Sequence, residues 1–323
     1  MLIVKHKLTI GSTVYTLGNE TRLVDLAMQA ALDVPVNACR VTLSPPKDLS
    51  MKAEDVVKVE LGYGDSLTLV FTGIVGTVDW GIDRVVVHGI GSFQKLVAAR
   101  FNLVYEKPAA GDIVSGVAGE LGLATGKVEA GLKFAAYAVG QNRTAYAHLR
   151  ALAEACGFDF YADTQDKVIF AKYKAASTHE FKYGVDILNF ALDERLVPVS
   201  GVEIYGESPA SGGQGAEAAS WLTKKEVKGS AGGKAGLTVR LTEPSARTQE
   251  VANKMAEAIL ADQTHEQGGA HKVIGAPPVK LGDAVKVAEM PISSQNGTFK
   301  VIGVTHTLNA KKGFVTTIAV QEA

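Results

Sequence analysis

The pentapeptide DAVKV at residues 283–287 repeats an earlier one, DVVKV at residues 55–59, in four of its five letters. Around each copy the sequence follows the same order. A turn-rich bridge comes next, ELGYGDS in the first case and AEMPISSQNG in the second. A strand with a central glycine follows, LVFTGIVGTV or TFKVIGVTHTL, which sets Gly73 against Gly303. Each copy then turns, at 80–83 or 309–313, and returns as an alternating apolar strand, RVVVHGI or FVTTIAV. Apolar residues at period two, punctuated by Gly, Asn and Asp, are the pattern of antiparallel meanders. Shared letters in a shared order indicate a duplicated, barrel-like β unit. Its repeat positions are Asp55, Val57, Val59 and Gly73 in the first copy, and Asp283, Val285, Val287 and Gly303 in the second. Three chains carrying two such units each would form a ring with six similar parts.

Working outward, LIVKHKLTIGSTVYTLG alternates around Gly11-Ser12 as a hairpin, and residues 23–32 read as a short helical patch. Pro45-Pro46 stop the strand CRVTLSPP, because proline cannot donate to a ladder. The character changes at Ser92. Ile113, Val117 and Leu121 fall four apart, and Tyr146, Leu149, Leu152, Ala153 and Cys156 form one helical stripe between a Thr144 cap and a Gly157 stop. FDFYADTQDKVIFAK then reads as a hairpin. Residues 206–236 are rich in Gly, Ser and Ala and contain Trp221, a ring expected to dock as an anchor. A helix at about 245–263 follows, with Ser245 as its cap and Val251, Met255, Ala258 and Ile259 facing inward. The fold class expected is α+β and β-rich: a first barrel-like domain at 1–91, an α/β insertion at 92–175, and a second barrel-like domain at 176–323.

The chain has 323 residues, enough for more than one core. It is 46% hydrophobic and 21% charged, as folded proteins are. Thirty-three basic residues nearly cancel 34 acidic ones, which argues against a phosphate-backbone partner. Cys39 and Cys156 form no CxxC pair, Lys5 to Lys7 interrupt the apolar N-terminus, and no run of 18 apolar residues offers a membrane span. Synthesis and folding in a reducing cytoplasm are expected.

Catalytic patterns fit poorly. GELGLATGK (119–127) lacks the spacing and the Ser/Thr of a phosphate loop, and HGIGSFQ (88–94) has Gln94 where a dinucleotide fingerprint needs its third glycine. His265 and His271 are six apart in a polar Gly-rich stretch that reads as exposed loop, whereas His6, His88 and His306 sit on strands as packed or interface groups. No pair of carboxylates stands out among Glu120, Glu154 and Asp159, and no GxSxG elbow is present. Tyr137, Tyr146 and Phe158 read as core aromatics. Catalytic residues, metal ligands and cofactors are therefore all expected to be absent. The rival readings are a cell-wall hydrolase and a carbohydrate-binding module.

LRALAEACGFDFYADTQDKVIFAK, GESPASGGQGAEAASWL and the ending LGDAVKVAEMPISSQNGTFKVIGVTHTLNAKKGF together resemble the late control protein D family. These are baseplate hubs of contractile phage tails and related injection systems, similar also to the hub part of type VI secretion spike proteins. The resemblance covers most of the chain, more weakly before residue 90. It implies a homotrimer that adapts a hexameric inner tube to a trimeric spike, with other baseplate proteins around it. Ending at Ala323 soon after the second meander, the sequence implies that the spike is a separate polypeptide. Neither nucleic acid binding nor stable membrane insertion is expected.

Overall fold

The structure, a computed structural model, describes residues 3–16, 23–44, 51–194, 196–206, 227–233, 236–265 and 267–322. Trp221 and most of the Gly-rich stretch lie outside the described residues.

The first β unit comprises β1 (Val4–Ile10), β2 (Thr13–Thr16), β3 (Leu23–Ala31), β4 (Ala38–Leu43), β5 (Val56–Tyr63), β6 (Ser66–Trp80) and β7 (Val85–Ile90). Alternation drives it. Val57, Val59 and Leu61 of β5 and Val85 and Val87 of β7 point inward onto Leu8, Leu26, Met28, Val41 and Phe71. The helical patch expected at 23–32 is instead the strand β3. Leu26, Met28 and Ala30 are its buried face, a period of two that also satisfied a helical reading. Ladders from β4 on one side and a distant strand on the other decide the matter, since tertiary pairing overrides the helix propensity of Leu, Ala and Met.

The chain then builds α1 (Gln94–Ala98), β8 (Leu103–Glu106), α2 (Ala110–Glu120), β9 (Thr125–Val128), β10 (Ala136–Val139), α3 (Ala145–Cys156), β11 (Asp159–Ala162) and β12 (Val168–Ala171). Thr144 caps α3 by accepting the Ala147 N–H at 3.2 Å, and Gly157 closes it in the left-handed region at φ 66°.

The second β unit begins with β13 (Thr178–Lys182) and β14 (Ile187–Glu194). It is interrupted by β15 (Val199–Gly206), β16 (Val227–Gly232), β17 (Leu237–Glu243) and α4 (Gln249–Gln263). It resumes with β18 (Gln267–Ile274), β19 (Ala284–Ala288), β20 (Gly297–Asn309) and β21 (Gly313–Glu322). Thr248, not Ser245, caps α4, accepting the Val251 N–H at 3.2 Å; Ala252 and Ala256, rather than Ala258, join Val251 and Met255 on its buried face.

Three apolar cores result. Two lie inside the β units. The third gathers Ile113, Leu149, Leu152 and Phe170 with Val202, Ile204, Val251 and Met255, so the interruption at 199–263 shares its core with the middle segment. Sequence order alone had grouped that interruption with the second barrel. Its helix packs on β15 and β16 and also against α3, which joins the interruption to the middle segment.

β3 pairs antiparallel with β20, from Asp25 opposite Asn309 to Ala31 opposite Gly303, and this joins the two β units into one sheet. A part-buried ion pair from Lys300 Nζ to Asp159 Oδ1, 2.5 Å, ties the second unit to the α/β core. Asn37 donates to the Ala162 carbonyl and does the same for the first unit. No helix among the described residues is long and apolar enough to cross a membrane.

Candidate assembly surface

The two β units share a ladder order as well as a pentapeptide. In the first, β1, β5, β6, β7, β4 and β3 are neighbours in that sequence, and in the second β13, β19, β20, β21, β18 and β14 are. Lys52–Asp55 and Lys280–Asp283 form the same turn. Each aspartate donates its backbone N–H to the carbonyl of the lysine, and each carboxylate accepts the lysine N–H, at 3.0 and 3.2 Å. The residue before the aspartate has positive φ in both, Glu54 at 70° and Gly282 at 86°. The aspartate carbonyl then accepts the N–H of Val75 in one unit and of Val301 in the other.

Irregularities repeat too. A bulge isolates Gly76 between β6 and β7, and Ile302 between β20 and β21. A second isolates Val24 between β3 and β4, and Leu188 between β14 and β18. An inserted residue disrupts the ladder and bends the strand, so matching bulges fix the alignment of the copies residue by residue.

That alignment corrects one pairing read from the letters. Gly73 lies opposite Val57, whereas Phe299 lies opposite Val285, so Gly73 answers Phe299 and Gly303 answers Thr77. The bridges before the strands differ in length, and matching glycine to glycine absorbed the difference wrongly. The two glycines also serve different purposes. A Cβ on Gly73 would stand 2.4 Å from the Ile90 carbonyl oxygen. On Gly303 it would approach only the Ala319 and Ala31 methyl groups, at 3.1 and 3.4 Å.

Val57, Val59, Val285 and Val287 are buried in the cores of their own units and present nothing to a partner. Asp55 remains partly exposed. Asp283 is fully buried, and its Oδ2 lies 2.9 Å from Nε2 of His179 on β13. His271 is not in an exposed loop. It lies on β18, buried, stacked on Phe190 with centroids 4.4 Å apart, and burial lowers its pKa to about 4. His306 is buried against Thr316 and is likewise lowered to about 4 by desolvation.

The surface left unpartnered is made of strand edges. β14 pairs only with β18 among the described residues, and β6 beyond Gly76 pairs only with β7. Four exposed large apolar side chains lie there: Trp80 is 58% exposed, Ile82 100%, Leu188 55% and Leu196 91%. An open apolar edge is a template for another strand. Charge in this region is mainly acidic, from Asp79, Asp83, Asp193 and Glu194; His88 Nε2 lies 3.0 Å from an Asp79 oxygen.

The motifs that tempt toward chemistry are accounted for. Where β7 runs into α1, the Ser92 N–H donates to both oxygens of Asp166 at 3.0 and 2.9 Å, so a carboxylate already occupies the place a phosphate would take. Burial pushes the Asp166 carboxyl up to about 6. Phe158 stacks edge-on against Phe170, and Tyr137 and Tyr146 pack on the α/β core. A groove beside α3 and α4 is lined by Tyr137, Arg143, Glu154, Glu243 and Asp262. No group of His, Cys, Asp and Glu among the described residues could hold a metal ion.

No described protein family and no curated protein matches the sequence. Solved structures do match. The 43 kDa tail protein of prophage MuSo2 from Shewanella oneidensis superposes with a TM-score of 0.71 at 14% identity, over 99% of this chain and 98% of that one. A tail protein from Neisseria meningitidis gives 0.71 at 15%, over 99% and 96%. The E. coli c3393 protein, a type VI secretion component described as structurally similar to T4 tail proteins gp27 and gp5, gives 0.61 at 11%, over 98% and 77%. At such identities the likeness is one of fold. The chain has the β-rich α+β fold of phage tail proteins and of type VI secretion components, the structural class to which the sequence resemblance pointed.

Proposed function

We propose that this protein is a structural hub of a contractile phage tail or a related injection particle. In this reading it is a homotrimer that adapts a hexameric inner tube to a trimeric spike, with other baseplate proteins around it. The two barrel-like tube domains are 1–91 and 176–323, and the α/β unit of 92–175, backed by 199–263, buttresses them. The observation that carries the reading is the duplication, down to matched bulges at Gly76 and Ile302 and at Val24 and Leu188. Two equivalent units per chain let a three-membered ring offer six equivalent faces. The likeness in fold to tail proteins supports the same reading. Such a ring needs large interfaces, on the order of 2,000 Å² or more. No catalytic, metal or cofactor role enters this function, nor does binding to nucleic acid. The chain would be made in the bacterial cytoplasm and assembled into the particle there.

Light scattering at micromolar concentration tests it: a mass of three chains, alone or on addition of the spike, is expected. A mass of one chain that never increases with tube protein or spike present would contradict it. Clearing of a peptidoglycan suspension, abolished by changing Glu154 or Glu243, would favour a hydrolase instead.

A further inference from the structure

The junction between the two β units inside one chain has two halves, and each half has a counterpart that lacks a second ladder partner among the described residues. β3 supplies one half and β20 from Gly303 onward the other. The matched bulges make β14 the counterpart of β3, with Phe190, Leu192 and Leu196 answering Leu26, Met28 and Leu32. They also make residues 77–80 the counterpart of 303–306, with Trp80 answering His306, and Ile82 lies in the tight turn that follows. Inside the junction, Leu32 and Leu308 pack against the core of the first unit. Leu196, the counterpart of Leu32, and Ile82, in the turn just past Trp80, are the two most exposed large apolar side chains among the described residues, at 91% and 100%.

We propose that β14 of one copy of this chain adds antiparallel to the free end of β6 in the next copy, reproducing between chains the β3–β20 junction within each chain. The inference rests on the ring reading above and adds to it the strands and the register. Within the chain, Met28 lies opposite His306, Gln29 opposite Thr305, and the Leu32 N–H donates to the Ile302 carbonyl at 2.9 Å. Between chains, Leu192 then lies opposite Trp80, Asp193 opposite Asp79, and the Leu196 N–H donates to the Gly76 carbonyl. Leu196 and Ile82 are covered together. A head-to-tail contact of this kind uses different surfaces on the two copies, so it leaves no free edge once a ring closes. Asp193 facing Asp79 is its one unfavourable pair, and it gives the register a charge signature.

Disulfide trapping in the full-length chain tests the register. Asp79→Cys with Asp193→Cys should give a ladder of linked chains on a non-reducing gel. Asp79→Cys with Ala191→Cys, displaced two residues along the same face, should give at least tenfold less. Gln29→Cys with Thr305→Cys makes the matching bond within one chain and shows that the geometry can form it. The native thiols do not compete, since burial raises Cys39 to about 12 and Cys156 to about 11. Asp193→Lys, an exposed substitution, should tighten association severalfold by pairing with Asp79. A trimeric mass without the 79–193 link, or with a stronger 79–191 link, overturns the register and leaves the ring standing. A mass of one chain under all conditions overturns both.

Discussion

The two β units are built alike but placed differently. In the first, β1 runs antiparallel to β5 and extends into the hairpin with β2; in the second, the corresponding β13 runs parallel to β19. Asp55 ends its turn near the surface, whereas Asp283 ends the same turn fully buried and faces His179. Where the first unit has buried Val41, the second has His271. β3 is covered on both sides and β14 on one. The ladder, its bulges and its turn thus persist through duplication, while burial at equivalent positions does not. What a residue contributes is set by its unit's surroundings, and substitution at matched positions separates the two influences.

The largest contrast is expected at the turn aspartates. Asp283→Ala strips the Lys280 N–H and His179 of their buried acceptor and should cost about 3 kcal/mol. Asp55→Ala, wetter and with only the Lys52 N–H to lose, should cost about 1 kcal/mol. Denaturant unfolding measures both, and equal losses would mean that the buried pair with His179 contributes nothing.

The glycines come next. Gly73→Ala drives a methyl into the Ile90 carbonyl and should destabilise by about 2 kcal/mol, whereas Gly303→Ala meets only methyl groups and should stay within about 1 kcal/mol. The order of their melting temperatures checks the corrected register; a reversed order would restore the pairing suggested by the letters.

Histidine gives the smallest effect and the one set by pH. His271 and His306 have folded pKa values near 4, below the ordinary 6.5, because burial disfavours their charged forms. The unfolded chain takes up protons below about pH 6.5 while the folded chain does not. Their contribution is therefore intact above that pH and lost as pH falls toward 4. His271→Val, which restores the residue type of the first unit, should flatten the fall in stability between pH 6.5 and 4.5 by up to about 1.4 kcal/mol per pH unit. An unchanged slope in urea titrations would show that His271 is protonated in the folded state.

The duplication was legible because buried strands must repeat their apolar side chains, and DVVKV and DAVKV sit where each meander starts. The register was not, because a bulge at Gly76 or Ile302 leaves no letter of its own. Residues 23–32 misled through Leu, Ala and Met, which suit a helix until two neighbours offer ladders. His271 looked exposed because glycines precede it, yet Gly269 is a glycine that lets the β14 backbone come close: a Cβ there would stand 2.1 Å from the Ala191 carbonyl oxygen. The edges proposed to pair between chains had one faint sign in the sequence. Ile82 is an apolar residue inside the turn WGID, where solvent alone gives no reason for it.

The central claim is that two equivalent units in each chain let three chains imitate six. End-on electron-microscope views of the purified protein, analysed for rotational symmetry, address it most directly. A ring with a lumen, a dominant sixfold component and a weaker threefold one is the result expected. A two-fold particle, or single chains at all concentrations, would contradict it.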